Sequence, residues 1–232
     1  MTNYHVIIPA AGKGTRMGRT YNKLLIEVAQ QTIIEHTVTI FQQDPSCKGI
    51  YLAIQPNDRE QLTKLLARFD KVKKLVEGGR ERQESIHKVI DELDVAVDDV
   101  VLVHDGARPF VTQSVIHTLA DAIQTHGAAV IGVKAKDTIK VVHDQFVTET
   151  LERQYLWQVQ TPQGATYGVL KQAYNMAQAE GIIGTDDASL LEHAGQSVFM
   201  VEGNYDNIKV TTEEDLTNAQ AIIEKRSETK HV

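Results

Sequence analysis

Short apolar runs of strand length alternate with amphipathic segments of helix length along almost the whole chain. This alternation is typical of α/β proteins, in which helices cover a largely parallel sheet. It predicts strands at 4–9, 50–54, 74–77, 100–104, 128–133 and 196–202, and helices at 32–43, 58–69, 81–92, 113–126, 166–179, 186–194 and 212–225. The run Val100-Val101-Leu102-Val103 is continuously apolar, as a central strand buried on both faces should be. We therefore expect one α/β domain over residues 1–232, with a frayed tail after Ile223.

Composition and charge exclude several classes of function. Apolar residues make up 42% of the 232 residues and charged residues 24%, an ordinary globular mixture. The net charge of −7 argues against nucleic acid or an anionic membrane as the main partner, although it allows a local cationic pocket. Cys47 is the only cysteine, so neither a disulfide framework nor a cysteine-based zinc site is expected. Without a membrane-length apolar run or a signal-peptide layout, the prediction is a cytoplasmic protein.

One segment interrupts the alternation of strands and helices. Residues 137–151 form a pattern of two short strands around a polar turn, and we place the inserted β-arm at 137–155. An isolated hairpin is marginally stable in water, so it needs a surface to pack against. From the pattern alone, a second subunit and the hairpin's own domain are equally good candidates for that surface.

The first predicted strand leads directly into a glycine loop, Ala10-Ala11-Gly12-Lys13-Gly14-Thr15-Arg16. Backbone N–H groups in a strand–loop–helix of this kind can hold phosphate groups. The loop does not match the Walker sequence, and Met17 stands where the dinucleotide fingerprint requires its third glycine. The interpretation is a polyphosphate loop with Arg16 and Lys23 as fixed cations. The alternative is a tight turn with an exposed arginine.

Three further clusters carry polar chemistry at predicted strand ends or loops. Asp105 and Gly106 follow the buried strand, where a carboxylate can bind Mg²⁺ and where Arg108 adds anion-binding capacity. The segment 78–85, with its glycine pair, suits a base, ribose or phosphate, although an ordinary turn is the favoured interpretation from pattern alone. The third cluster comprises loops at 134–140, 160–163, 184–189 and 206–211, each of which has an ordinary loop interpretation. Asp105 also has an ordinary interpretation, as the cap of the following turn. His104 is predicted to be a structural residue.

Taken together, these strings resemble the 2-C-methyl-D-erythritol 4-phosphate cytidylyltransferases of the non-mevalonate isoprenoid pathway. The matching strings, in family order, are IIPAAGKGTRMG, GGRERQESI, HDGARPF, KDTIK, LWQVQTPQ, TDDASLLE and VEGNYDNIKVTTEEDL. The resemblance implies a Rossmann-like nucleotidyltransferase fold with a mixed, mostly parallel sheet and a homodimer joined by protruding β-hairpin arms. It thereby favours a partner subunit as the arm's packing surface. It also implies transfer of a cytidylyl group from CTP to the phosphomonoester, with Mg²⁺ and release of pyrophosphate.

The resemblance also implies roles for individual residues, all by position in the motifs. Arg16 and Lys23 would stabilise the transition state on the triphosphate, and Arg153 and Lys209 would position the sugar phosphate. The CTP side would comprise Ala10, Ala11, Gly12, Gly14, Gly79, Arg82, Ser85, Asp105 and Gly106, with Asp105 also binding the metal. The acceptor side would comprise Arg108, Thr138, Thr161 and Thr185. One departure is Asn22 before Lys23, where the family usually has proline, whose ring fixes φ.

Two other functions remain open from the sequence. A ribitol-5-phosphate cytidylyltransferase shares the implied fold and nucleotide, and a non-catalytic nucleotide-sensing domain would use the same scaffold. Retention of four cationic candidates together with Asp105 speaks against the sensing function. A phosphomonoester is already anionic at neutral pH, since its second pKa is about 6, so the reaction needs no strong general base. Its main barrier is repulsion between two polyanions, which fixed cations reduce.

Overall fold

The computed structural model describes residues 1–12 and 22–229, and in these ranges it has eleven β-strands and seven α-helices. The strands are β1 (Tyr4–Pro9), β2 (Glu27–Val28), β3 (Gln31–Thr32), β4 (Cys47–Ile54), β5 (Val72–Glu77), β6 (Val100–Val103), β7 (Ala128–Lys134), β8 (Lys140–His143), β9 (Phe146–Thr150), β10 (Trp157–Thr166) and β11 (Phe199–Glu202). The helices are α1 (Ile33–Gln42), α2 (Arg59–Leu66), α3 (Arg82–Asp91), α4 (Gln113–His126), α5 (Tyr167–Glu180), α6 (Asp187–His193) and α7 (Glu213–Thr229). All the predicted elements are present, with ends that differ by up to four residues.

Seven of the strands form one mixed sheet in the order β11-β7-β10-β6-β1-β4-β5. All its neighbouring strands are parallel except β10, which runs antiparallel to both β6 and β7. The predicted fold class, a mixed and mostly parallel sheet, is therefore confirmed. The sequence pattern did not predict β10, because its middle is polar rather than apolar.

The helices bury apolar side chains against both faces of the sheet. Successive residues of β6 alternate between the two faces: Val100 and Leu102 belong to one apolar cluster, and Val101 and Val103 to the other. All four are buried, as the continuous apolar run predicted. The first cluster includes residues of α1, α2, α4 and α7, and the second includes residues of α3, α5 and α6. Because the central strands are fixed from both sides, the loops at their carboxyl ends have a rigid base.

Of two predicted features at the periphery of the fold, one is wrong and the other is present. The expectation of a frayed tail after Ile223 is wrong for residues 224–229, because α7 continues to Thr229 and Arg226 donates a 2.8 Å hydrogen bond to the Phe110 carbonyl. The predicted hairpin is present as the two-stranded antiparallel sheet β8–β9, separate from the main sheet. Every residue of β9 is exposed in the single chain.

Within the described residues, no helix is both long and apolar enough to cross a membrane.

Candidate active site

A cleft of about 600 Å³ opens at the carboxyl ends of the central parallel strands. In open α/β sheets, ligands bind at this edge. Nine residues predicted as site residues line the cleft: Ala11, Gly12, Lys23, Gly79, Arg82, Ser85, Asp105, Gly106 and Lys209. They come from segments far apart in the chain, so the fold brings three of the predicted clusters and part of the fourth together.

Asp105 is the charged centre of this cleft. Arg82 Nε lies 3.2 Å from its Oδ1, while Lys209 Nζ and Arg108 Nε lie 2.7 Å and 3.6 Å from its Oδ2. Burial by itself would raise the pKa of this carboxyl, but Arg82, Lys209 and Arg108 together hold the pKa well below its usual range. Asp105 is therefore ionised at neutral pH and compensates part of the positive charge around it.

Arg82 is fixed from behind by a second carboxylate. Its two terminal nitrogens donate to the two oxygens of Asp187 at 3.0 Å and 2.7 Å. Asp187 is fully buried and also accepts a hydrogen bond from the Tyr174 hydroxyl. Burial raises the pKa of Tyr174 well above its ordinary value, and the neighbouring Asp187 raises it further, so the phenol stays a donor.

His104 is a structural residue under the site, as predicted. Its side chain is fully buried, with Nε2 2.9 Å from the Arg108 carbonyl and Nδ1 3.2 Å from Thr161 Oγ1. Because the carbonyl can only accept, we assign the proton to Nε2, and Nδ1 then accepts from the threonine hydroxyl. Thr161 Oγ1 in turn accepts the Asp105 N–H at 2.9 Å. Burial lowers the pKa of His104 to about 4, which keeps this chain of hydrogen bonds intact at neutral pH.

The two glycine segments differ in what their backbones offer a ligand. Ala10 is buried and donates its N–H to the Ala53 carbonyl, so that this N–H is not available to a phosphate group. Ala11 and Gly12 line the cleft. In the second segment the Gly79 N–H and the Glu81 carbonyl both bind Ser85 Oγ at 2.9 Å, so this buried hydroxyl shapes the loop.

Lys23 sits in the cleft at the start of a short 3-10 turn, Lys23–Leu25, and contacts the segment that carries Lys209. Its Nζ donates to the Val210 carbonyl at 3.1 Å. The preceding Asn22 has φ −63°, the value that proline would impose, and its side-chain oxygen accepts the Leu24 N–H. Its amide nitrogen also donates to the Ala10 carbonyl at 2.9 Å. Asparagine thus reproduces by hydrogen bonding the turn that proline would give.

The remaining predicted residues lie outside the cleft or outside the described residues. Arg153 is exposed and donates to the Lys136 carbonyl at 2.7 Å, lining a separate hollow beside the base of the arm. Thr138 and Thr185 are exposed in the single chain. Gly14 and Arg16 fall in the stretch 13–21, which is outside the described residues.

Three residues that shape the site lie in the loops of the third polar cluster but were not predicted as site residues. Asp187 binds Arg82, as described above. Gln163 donates to Asp186 at 2.9 Å and accepts the Ala188 N–H at 2.7 Å, so it joins β10 to the start of α6. Asn207, also buried, donates to the Thr161 carbonyl at 3.0 Å and accepts from Arg108 through its own carbonyl at 2.7 Å. All three lie inside strings that match the family, but their roles depend on contacts with residues that are distant in the sequence.

Comparison with known proteins identifies the family of this chain. The sequence model of the family IspD, 2-C-methyl-D-erythritol 4-phosphate cytidylyltransferase, matches residues 4–225. The chain is 45% identical over 226 residues to the protein of that name from Lysinibacillus sphaericus, with 97% of each chain covered. It is 46% identical to that from Halalkalibacterium halodurans, with 96% of this chain and 98% of the relative covered. A crystal structure of 4-diphosphocytidyl-2C-methyl-D-erythritol synthase from Anaerococcus prevotii has a TM-score of 0.85 and 30% identity, with 96% of both chains covered.

Proposed function

Because this chain belongs to the 2-C-methyl-D-erythritol 4-phosphate cytidylyltransferase family, we propose that it joins CTP and 2-C-methyl-D-erythritol 4-phosphate. The products are 4-diphosphocytidyl-2-C-methyl-D-erythritol and pyrophosphate, in the non-mevalonate synthesis of isoprenoid precursors. The observation that carries the proposal is the grouping of Lys23, Arg82 and Lys209 in one cleft on a chain of net charge −7. A cleft of this charge suits a substrate with several phosphate groups.

The residues support in-line attack of the acceptor phosphate oxygen on the α-phosphorus of CTP. A new P–O bond forms as the bond between the α-phosphorus and the bridging oxygen breaks, and pyrophosphate leaves with the electron pair. No side chain needs to remove a proton, because the attacking phosphate is already ionised at neutral pH, with a second pKa of about 6. The protein's contribution is to place cations where the two anions would repel each other. Lys23 and Arg16 are proposed to do this at the triphosphate.

Asp105 is proposed to hold Mg²⁺. Within the described residues, no group of three His, Cys, Asp or Glu side chains forms a metal cluster, so the protein would supply one carboxylate and substrate phosphates would supply further ligands. Asp105 fits this arrangement because it is ionised and lines the cleft. A bound Mg²⁺ would neutralise charge on the phosphates. Lys209, 2.7 Å from the carboxylate, is the neighbouring cation that would make room for it.

We assign the remaining residues to two halves of the site. The CTP half comprises the backbone of Ala10, Ala11, Gly12, Gly14, Gly79 and Gly106 with Arg82 and Ser85, although Ala10 and Ser85 act there by shaping their loops. The acceptor half comprises Lys209, Arg153, Arg108, Thr138, Thr161 and Thr185. Because Arg153 lines a separate hollow in the same chain, we propose a homodimer in which the partner's arm supplies its Arg153. We also propose a single domain over 1–232 with the arm at 137–155, and a cytoplasmic location.

The test is pyrophosphate release with CTP and Mg²⁺, in parallel reactions with 2-C-methyl-D-erythritol 4-phosphate, ribitol 5-phosphate or no acceptor. We expect release with the methylerythritol phosphate only. Preference for ribitol 5-phosphate would instead assign the other cytidylyltransferase activity. Binding of CTP without release in any reaction would favour nucleotide sensing and contradict the proposal.

A further inference from the structure

Arg82 lines the cleft, yet both terminal nitrogens of its guanidinium are used in a contact with Asp187. The terminal nitrogens pair with the two oxygens of Asp187, at 3.0 Å and 2.7 Å, and thus face away from the cleft. Nε donates to Asp105 Oδ1 at 3.2 Å. A guanidinium binds a phosphate group best with two parallel N–H donors, either from its two terminal nitrogens or from Nε and one terminal nitrogen. Here Asp187 occupies the first pair, and Asp105 occupies the Nε member of the second.

Asp187 has little freedom to release Arg82. Its side chain has no exposed surface, and the Tyr174 hydroxyl donates to the Oδ1 atom that Arg82 Nη1 also contacts. A buried carboxylate without its cation is strongly unfavourable, so moving the guanidinium toward a ligand would leave an uncompensated charge. Arg82, Tyr174 and Asp187 belong to α3, α5 and α6, which meet behind the cleft. The position of the guanidinium is therefore set by three packed helices rather than by the ligand.

Lys209 presents the opposite case on the other oxygen of Asp105. Its ammonium is a single point donor on a flexible stem, 2.7 Å from Oδ2. Lys209 and Arg82 are about equally exposed, so the difference between them lies in Asp187, which pairs with Arg82. Lys209 can turn toward a phosphate group while Arg82 and Arg108 still compensate the buried Asp105 carboxylate. Of the three cations around Asp105, Arg82 is thus an anchored partner and Lys209 an exchangeable one.

We propose that Asp187, supported by Tyr174, is a positioning residue that anchors Arg82, so that Arg82 orients the Asp105 carboxylate instead of binding the triphosphate. This inference rests on the proposed function and refines it, because it moves Arg82 from contact with CTP to support of the residue beside it. Asp187 acts only through Arg82 and touches no substrate.

The adjacent carboxylates offer a matched pair of variants. Asp187→Asn removes the charge that holds the guanidinium. Asp186→Asn makes the same change one residue earlier, where the carboxylate caps α6 and binds Ser189 and Gln163 but not Arg82. We expect Asp187→Asn to lower kcat/KM for CTP by roughly 10–100-fold, as loss of a group supporting a ligand residue does. Asp186→Asn can lose the hydrogen bond from Gln163 but leaves Arg82 paired, so its loss of kcat/KM should be clearly smaller than that of Asp187→Asn, and an equal loss would overturn the proposal.

A double-mutant cycle separates positioning from a general structural effect. If Asp187 acts through Arg82, the loss in Arg82→Gln/Asp187→Asn should equal that in Arg82→Gln alone. Losses that multiply, or an Asp187→Asn enzyme with wild-type kcat and KM per folded molecule, would overturn the proposal. The folded fraction is measured by thermal unfolding for each variant.

Two further variants keep the proposal testable if Asp187→Asn does not fold. Tyr174→Phe removes one hydrogen bond to Asp187 and should show a smaller loss in the same direction. Arg82→Lys keeps the positive charge but cannot reach both carboxylates, so it should lose activity as Arg82→Gln does. Wild-type kcat/KM in Arg82→Lys would show that charge alone suffices and would overturn the proposal.

Calorimetric titration of CTP without acceptor gives a readout that does not depend on turnover. Arg82 is assigned to Asp105 and not to the triphosphate. Arg82→Lys and Asp187→Asn should therefore bind CTP with wild-type affinity when no metal is present. With Mg²⁺ present, both variants should bind CTP more weakly than the wild type does. Equal weakening with and without Mg²⁺ would assign Arg82 to the triphosphate and overturn the proposal. If wild-type protein binds CTP but releases no pyrophosphate with either acceptor, the proposed function fails while this comparison can still be made.

Discussion

At the scale of single residues, the buried imidazole of His104 makes stability depend on pH in a defined window. Burial disfavours the charged ring and lowers the pKa of His104 from its ordinary value of 6.5 to about 4 in the folded chain. Between these values the unfolded chain binds a proton that the folded chain does not, so stability falls as pH falls from 6.5 to 4. The loss from this one group is about 3 kcal/mol over the window.

We therefore expect His104→Gln to flatten this part of the pH profile. Glutamine can donate to the Arg108 carbonyl but does not titrate. Urea unfolding at a series of pH values measures the slope, and above about pH 7 the two profiles should run parallel because neutral histidine binds no proton in either state. Asp105 contributes in a different window, since a carboxyl whose pKa is lowered on folding loses its contribution only below its ordinary value of about 4. An unchanged slope between pH 4 and 6.5 in His104→Gln would show that the imidazole is not the group responsible.

Lys209 and Arg153 should respond differently to truncation, although the resemblance pairs them. Lys209 contacts Asp105 in the cleft, so Lys209→Ala should lower kcat by roughly 10²–10³-fold, the range for removing a preorganised charge donor. Arg153 is exposed beside the arm, so Arg153→Ala should mainly raise KM for the sugar phosphate. Steady-state kinetics with each substrate varied in turn measures both, and Arg59→Ala, an exposed arginine paired with Glu77, serves as control. A raised KM for CTP alone in Arg153→Ala would contradict its place in the acceptor half.

At the scale of elements, the loop that opens α3 depends on Gly78 more than on Gly79. A Cβ on Gly78 would lie 2.6 Å from the Ala11 Cβ and 2.9 Å from Ser85 Oγ, both fixed parts of the cleft. The three atoms nearest to a Cβ on Gly79 all belong to the side chain of Glu84, which is half exposed and can move. The family resemblance assigned a role to Gly79, whereas packing identifies Gly78.

Gly78→Ala should therefore impair the enzyme, and Gly79→Ala is its matched control. We expect Gly78→Ala to lose about 1–3 kcal/mol of stability through overpacking and to lower kcat/KM for CTP, because Ala11 must shift. Gly79→Ala should stay close to the wild type in both. Denaturant unfolding and kinetics on the two proteins decide this, and equal behaviour of the pair would show that the contact with Ala11 is unimportant.

The elements also show what can be predicted from sequence and what cannot. Strands such as β6 were predicted because their residues are continuously apolar, and α4 because its apolar residues recur at helical spacing. The central strand β10 was missed because Gln160, Thr161 and Gln163 are buried in it. These side chains are stabilised by hydrogen bonds to residues elsewhere in the chain, such as Asp186 and the Asp105 N–H. Local pattern carries no information about such partners, and Asp187 was missed for the same reason.

At the scale of the whole molecule, charge is distributed unevenly. The chain carries a net charge of −7, yet Lys23, Arg82 and Lys209 are gathered at one cleft by segments from different parts of the sequence. The buried carboxylate of Asp105 lies between Arg82 and Lys209, and the buried carboxylate of Asp187 pairs with Arg82. A cleft with this group of cations suits a polyphosphate although the chain as a whole is acidic. Composition accounts for the acidic net charge, and only the fold explains the cationic cleft.

The arm sets the expected state of assembly. Val142, Phe146 and Val147 on the hairpin are 51%, 77% and 59% exposed in the single chain, although a two-stranded hairpin needs an apolar surface to be stable in water. Neighbouring exposed apolar side chains of this kind mark an interaction surface. We propose that the surface is occupied by a second copy of the chain, whose acceptor half then becomes complete.

Phe146→Ser/Val147→Ser should therefore convert a dimer into a monomer with little cytidylyl transfer. Thr148→Ser, on the same strand, is the control and should stay dimeric and active. Sedimentation equilibrium measures the mass, and CTP binding without acceptor should survive in the monomer, because the cleft is built within one chain. Mixing this variant with Arg153→Ala sharpens the test, since a heterodimer could restore one site from the two defective chains. A monomer with wild-type turnover would show that the arm supplies nothing to the partner's site.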